Sequence, residues 1–166
     1  MTIRPELPSD RESVYLVHAA AFPSDDEARL VDVLRDAGCL TVSLVAEESG
    51  RVVGHTALSP VSVAGTSGGL GLAPIAIMPE YQRQGIGSRL VQAALAAAAE
   101  KGAGFVVVLG APGYYGRFGF TAATGWELTD EFGGGAAFQA IELVAGAIPR
   151  NGGLVRYAAE FALVAG

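Results

Sequence analysis

Pro74-Ile75-Ala76-Ile77-Met78-Pro79-Glu80-Tyr81-Gln82-Arg83-Gln84-Gly85-Ile86-Gly87-Ser88-Arg89-Leu90 decides how this chain folds. Apolar and β-branched residues run up to Met78, a polar turn with two glycines follows, and Ile86, Leu90, Ala94, Leu95 and Ala98 then recur at helical spacing towards Glu100. A strand enters a tight turn and a helix leaves it. The first N–H groups of such a helix have no intrahelical partner, and its positive dipole end lies at the same spot, so the turn suits an anion. Gly85 and Gly87 remove side chains that would hold a phosphate away, Ser88 adds a hydroxyl and Arg83 a charge. Neither common nucleotide loop fits. A P-loop ends in Gly-Lys-Ser or Gly-Lys-Thr, and the dinucleotide fingerprint needs a third glycine where Leu90 stands.

Downstream, Phe105-Val106-Val107-Val108-Leu109 is wholly apolar, as a parallel strand covered on both faces must be. Leu70 to Met78, Gly85 to Glu100 and Phe105 to Leu109 therefore read as a βαβ unit. Upstream, Val42–Glu47 and Arg51–Val63 read as an antiparallel hairpin turning at Glu48-Ser49-Gly50. Thr2-Ile3-Arg4 is a short extended segment. Ser9 with Glu12 forms a capping-box signature for a first helix to about Ala20. Asp25 or Asp26 caps a second helix whose apolar face is Leu30, Val31, Val33 and Leu34 and which stops at Gly38. The last third offers a Tyr-rich turn, a Gly133-Gly134-Gly135 loop and strands near Phe138–Val144 and Leu154–Ala158, with Phe161-Ala162-Leu163-Val164 as interface strand or core. The expectation is one α/β domain over residues 1–166 with a mixed sheet.

Composition narrows the function. With 51% hydrophobic and 17% charged residues the chain is too apolar for disorder. A net charge of -6 argues against a nucleic-acid partner. One cysteine and two histidines exclude an internal disulfide and a usual zinc site, so no metal is expected, and Cys39 reads as a small buried hydrophobe. No signal-like apolar segment opens the chain, and Gly, Pro or a charge breaks every apolar run before ~18 residues. A cytoplasmic protein with no membrane partner is expected.

Gln82-Arg83-Gln84-Gly85-Ile86-Gly87 resembles the acetyl-CoA motif Gln/Arg-x-x-Gly-x-Gly/Ala of the GCN5-related N-acetyltransferase (GNAT) superfamily. Tyr114-Tyr115-Gly116-Arg117-Phe118-Gly119-Phe120 looks like its downstream Phe/Tyr-Tyr-x-x-x-Gly-Phe element. With Gly54-His55-Thr56-Ala57-Leu58-Ser59-Pro60, the chain is most similar to the bacterial subgroup of predicted N-acetyltransferases of the YhbS type. The resemblance implies a mostly antiparallel sheet with a splayed βαβ unit and helices on both faces, and acetyl transfer from acetyl-CoA to a primary amine in a ternary complex. It implies cofactor contacts from Ile75, Ala76, Ile77, Gln82, Arg83, Gln84, Gly85, Ile86, Gly87, Ser88 and Tyr115. Counting back from Gly87, it places the oxyanion-binding N–H on Ile75 and a pantetheine contact on Ile77.

Aminolysis of a thioester needs a neutral amine, a donor for the oxyanion and a proton for the thiolate. A phenol of pKa ~10 supplies a proton to a thiol of ~8.5 without prior ionisation, so Tyr115 is the candidate acid and Tyr114 the runner-up. Pro74 has no N–H and is expected to interrupt the ladder, splaying the sheet beside Ile75. Some relatives carry a basic Glu four residues before the oxyanion donor; Gly71 stands here, and Glu47, Glu48 and His55 are left as groups that would act through water. Glu27 and Arg29 fall where the superfamily builds an acceptor wall, and Asp25, Asp26 and Glu27 favour a cationic amine. Two alternatives stand beside this reading: a silent CoA-binding module, and transfer of a longer acyl group into space left by Gly68, Gly69, Gly71 and Ala73. Relatives imply a monomer or homodimer.

Overall fold

A computed structural model describes residues 1–163. Its elements are β1 (Thr2–Pro5), α1 (Arg11–Ala21), α2 (Asp26–Asp36), β2 (Val42–Glu48), β3 (Arg51–Val63), β4 (Thr66–Ile77), α3 (Ile86–Glu100), β5 (Phe105–Leu109), α4 (Pro112–Tyr115), β6 (Thr121–Ala122), β7 (Leu128–Asp130), β8 (Phe138–Glu142) and β9 (Gly153–Arg156). The strands form one sheet in the order β1-β2-β3-β4-β5-β8-β6, and β9 pairs the end of β3 and carries β7. The β4–β5 and β7–β9 pairs are parallel and the others antiparallel. This is the mixed, mostly antiparallel sheet expected.

Alternation along the strands divides the core between two faces. Val42, Leu44 and Ala46 of β2 and Val53 and Leu58 of β3 pack on one side with Leu90, Val91, Ala94 and Ala98 of α3. Val45 and Val52 turn to the other side, where Val14 and Val17 of α1 and Val31 of α2 meet them. Both faces are thus covered, and the all-apolar β5 is buried from Phe105 to Val108 because it lies in the sheet interior.

Several local expectations change. Ser9 does not cap α1: a 3-10 turn over Pro8–Asp10 precedes it, and the buried Asp10 carboxylate takes the Leu7 N–H at 2.7 Å and the Arg4 guanidinium at 2.7 Å. An aspartate anchored to β1 fixes the chain entry better than an exposed serine hydroxyl. β4 begins at Thr66, four residues before the expected Leu70, because Ala64 (φ 51) and Gly65 (φ 77) make a tight turn that pairs Val61 with Gly69 and Val63 with Thr66. Such a left-handed turn suits a hairpin. Cys39 is half-buried rather than buried. Phe161 packs with Leu30 and Leu34 of α2 from a 3-10 turn over Ala159–Leu163, so Phe161 belongs to the core and the described part of this segment is a turn and not a strand; Val164 lies outside the described residues.

One irregularity positions the site. Leu58 pairs with Leu72 but Thr56 pairs with Ile75, so β4 spends one more residue than β3 across Ala73-Pro74. A bulge at proline is the usual outcome where a strand lacks a donor. The parallel ladder to β5 runs from Gly69↔Phe105 to Leu72↔Val108 and ends there, so the strands part beyond the bulge.

Candidate active site

Ladder geometry determines what the end of β4 offers. Met78 N–H donates to the Val53 carbonyl at 2.8 Å. Since antiparallel pairs alternate between bonded and non-bonded, His55↔Ala76 is a bonded pair, while Thr56↔Ile75 and Gly54↔Ile77 are not. The N–H and C=O groups of Ile75 and Ile77 therefore face away from β3, into the gap that β5 has left. Ala76 points its backbone into the ladder, and its side chain is buried with α1 on the opposite face. Of the three, Ala76 is thereby withdrawn from the cleft.

Beside this edge lies a cleft of about 330 Å3 lined by Ile77, Tyr81, Gln82, Arg83, Gly85, Ile86, Gly87, Ser88, Tyr114 and Arg117. Gln82 Nε2 donates to the Ile77 carbonyl at 3.0 Å, tying the turn to the strand. Gln84 donates instead to the Glu80 carbonyl at 3.3 Å and is absent from the lining. Arg83 (φ 63) and Gly85 (φ 83) are both left-handed, which coils the backbone before α3; this costs little at glycine and of order 1 kcal/mol or more at arginine. Helix α3 starts at Gly85 with no side-chain cap and no acidic residue in its first turn. Nothing from the side chains competes for its leading N–H groups, which is what an anion needs. A Cβ on Gly87 would lie 3.0 Å from the Tyr114 hydroxyl and 3.9 Å from Ile75 Cδ1, so cradle, tyrosine and strand end converge there.

The two tyrosines part company. The Tyr114 hydroxyl stands 3.5 Å from Ser88 Oγ, and the Arg117 guanidinium lies over its ring at 4.5 Å while reaching Ser88 Oγ at 3.4 Å. Tyr115 is buried beside the cleft: its ring packs on Gly110, just past β5, where a Cβ would clash at 2.3 Å, and edge-on to Phe120. Burial pushes its hydroxyl up to about 12, with the neighbouring Tyr114 adding to the rise. It stays protonated at any working pH and is a weaker acid than an unperturbed phenol. Arg117 escaped the sequence reading; its signal was the spacing of three residues from Tyr114 within the Tyr-rich turn.

A sequence profile of the acetyltransferase (GNAT) family matches residues 10–120. The chain is 40% identical to the uncharacterized N-acetyltransferase YhbS of Escherichia coli over 164 residues, covering 97% of this chain and 98% of that one. It belongs to the GNAT family of N-acetyltransferases. The crystal structure of Escherichia coli YhbS in complex with CoA superposes with a TM-score of 0.93 at 39% identity, covering 97% of this chain and 91% of that one. A GNAT acetyltransferase from Brucella melitensis in complex with acetyl-CoA gives 0.82 at 38%, covering 96% and 97%.

At Gly71 a Cβ would meet the Tyr157 ring at 2.8 Å, and at Gly69 the Phe105 ring at 2.2 Å. At these two positions the space is filled by aromatic rings, whereas a Cβ on Gly68 would meet nothing within 4 Å. Glu48 lies beside the β2–β3 turn with the N-terminal amine 3.4 Å away, and Glu47 pairs with Arg4 at 2.6 Å. Arg29 is paired with Asp25 at 3.3 Å and with Asp26 on the exposed face of α2. His55 is fully buried and bonded to His18. Among the described residues no helix is long and apolar enough to cross a membrane.

Proposed function

We propose that this N-acetyltransferase takes the acetyl group of acetyl-CoA and passes it directly to a primary amine. The observation that carries the reading is the parting of β4 from β5 at Leu72↔Val108 beside an uncapped helix start at Gly85–Gly87. An arm lying along β4 would take up the backbone groups of Ile75 and Ile77, and a pyrophosphate would sit on the N–H groups of Ile86, Gly87 and Ser88, with Arg83 and Arg117 as flanking cations. The relatives solved with CoA and with acetyl-CoA support the donor assignment.

In this mechanism the amine attacks the thioester carbonyl, the Ile75 N–H stabilises the oxyanion, and Tyr115 donates its hydrogen to the departing sulfur. Tyr114, whose hydroxyl stands by Gly87 and Ser88, closes the cradle instead. The acceptor is a small molecule or peptide amine, and the acidic residues at the start of α2 favour a cationic one. Calorimetric titration with acetyl-CoA tests the core of the reading. Binding in the micromolar range, about -8 kcal/mol, is expected, together with its loss in Gly87→Trp, whose side chain fills the cradle. Equal binding by both proteins would place the ligand elsewhere.

A further inference from the structure

Strand β1 stops before its partner does. Its last register pair is Pro5↔Leu44, the Glu6 N–H still donates to the Ser43 carbonyl at 3.0 Å, and the chain then leaves for the Pro8–Asp10 turn. β2 therefore keeps an uncovered edge between the last turns of α2 and α3, and a cavity of about 680 Å3 opens on it. The cofactor cleft lies at the first turn of α3 and this cavity at its last, about 20 Å away along the helix. Acetyl transfer makes no use of it, although its volume is that of a small-molecule site.

Counting donors and acceptors shows what the walls lack. Arg35 lines the cavity with a side chain only 19% exposed, held by Glu6 through Nε and Nη2 and by Asp32 through Nη1 at 2.7 Å. A guanidinium has five N–H groups, so two of those of Arg35 are unused among the described residues. Lys101 adds an ammonium that no carboxylate pairs among the described residues, and Thr41 adds a hydroxyl. On the acceptor side, the Glu6 carboxylate is taken up by Arg35 and by Ser43 Oγ at 3.1 Å. The last α3 carbonyls are taken as well, since those of Ala97, Ala98 and Ala99 accept from Lys101, Ala103 and Gly102. Glu100 carries a carboxylate without an ion pair among the described residues, and it is exposed at the rim. The surplus is therefore one of donors, which calls for an anionic acceptor. A buried ion pair contributes little net stability; what Glu6 and Asp32 achieve is to hold the guanidinium in one orientation at the wall.

The rest of the wall is aliphatic. Val42 and Leu44 form the floor, with Pro5, Leu40 and Ala97 beside them. Thr41 and Lys101 also line a second cavity of about 200 Å3, walled by Pro60, Gly68, Leu70 and Ala103, so the two cavities make one groove. Pro60 pairs with Leu70 across β3 and β4. From the start of β2 the groove thus crosses two strand spacings, about 10 Å, over a mainly apolar floor.

We propose that this groove binds a medium-chain monocarboxylate, an aliphatic acid of the size of octanoate. Its carboxylate takes the unused N–H groups of Arg35, and its chain lies over Val42 and Leu44 and passes Lys101 to reach Leu70. Charge and shape agree on this class. A polyanion would meet Glu6 and Glu100 as well as the donors, and an amine would find no unpaired acceptor on the wall except the exposed Glu100. A short acid would leave the far channel empty. Binding is non-covalent and leaves the cofactor cleft untouched.

Calorimetry on the full chain with butanoate, hexanoate, octanoate and octanol tests head and tail separately. Octanoate is expected to bind with a Kd on the order of 0.1–1 mM. Affinity should rise about fourfold per methylene along the acids, as burial of each CH2 requires, and octanol should bind about tenfold more weakly than octanoate. A flat series overturns the proposal because no channel then holds the chain; octanol equal to octanoate overturns it because nothing then holds the head. NMR of the labelled chain locates the ligand: shifts are expected at Leu44, Leu70 and Lys101, whereas shifts confined to Ile75–Ser88 would put the acid in the cofactor cleft and reject this site. Arg35→Gln should weaken octanoate about tenfold. Should that variant fail to fold, Ala97→Phe, which fills the cavity from the α3 side, carries the test: it should abolish octanoate binding at an unchanged urea midpoint, and undiminished binding rejects the site. None of these readouts involves acetyl-CoA, so failure of the transferase reading would leave them unaffected.

Discussion

Tyr114 and Tyr115 are adjacent in sequence and nearly perpendicular in space, with ring centroids 5.0 Å apart and an interplanar angle of 86°. The proposed mechanism gives them different work. One hydroxyl stands at Gly87 and Ser88 in the cradle; the other ring is sealed against Gly110 and Phe120 at the parting of the strands. Steady-state kinetics should separate them: Tyr115→Phe is expected to reduce turnover on the order of 10²-fold with acetyl-CoA affinity almost unchanged, and Tyr114→Phe to weaken affinity a few-fold with turnover retained. The reverse pattern would exchange the two roles. Burial qualifies the first expectation, since a hydroxyl pushed up to about 12 gives its proton only as negative charge builds on the sulfur. Sequence pattern found both residues, but it cannot tell which of two neighbours faces a ligand, because that depends on where a four-residue helix docks.

Strand β4 is the element on which the site depends, and its two edges behave differently along one run of residues. From Gly69 to Leu72 both edges are paired, and beyond the Ala73-Pro74 bulge only the β3 edge is. Amide hydrogen exchange should therefore alternate in the free protein. Ala76 and Met78, bonded to β3, exchange slowly, whereas Ile75 and Ile77 exchange quickly and become protected on adding acetyl-CoA. Equal protection of Ile75 and Ala76 without ligand would mean that the edge is already occupied. Pro74 signalled this interruption in the sequence, since a residue without an N–H cannot continue a ladder. The hairpin that precedes it was less legible: Gly68 and Gly69 look like strand breakers, yet pairing with Val61 and contact with the Phe105 ring hold Gly69 in the sheet.

On the scale of the whole molecule, two neutral imidazoles in the core make stability depend on pH. Burial and the Arg35 charge lower His18 to about 4, and burial, His18 and Arg35 hold His55 well below the ordinary value. The unfolded chain takes up protons at ~6.5, above either folded value, so this stabilisation is fully present above that pH and is lost as pH falls towards about 4. Unfolding free energies from urea titrations should be flat from pH 7 to 8 and decline below 6.5, with a slope approaching about 1.4 kcal/mol per pH unit for each histidine. A flat curve down to pH 5 would show that the rings are charged or solvated in the folded state. Asp10 adds its own loss only below the ordinary carboxylate range, because Arg4 holds its carboxyl low. By itself the sequence determined the βαβ unit, the cradle and the family, because these rest on local rules: the period of apolar residues, a helix start without competing side chains, and a proline in a strand. Only the tertiary structure decided which backbone groups of β4 are free, that Tyr157 fills the place above Gly71, and that His18 and His55, far apart in the chain, share a hydrogen bond. Those facts depend on strand register and on how α1 and the C-terminal turn settle on the sheet, and no spacing along a single chain encodes either.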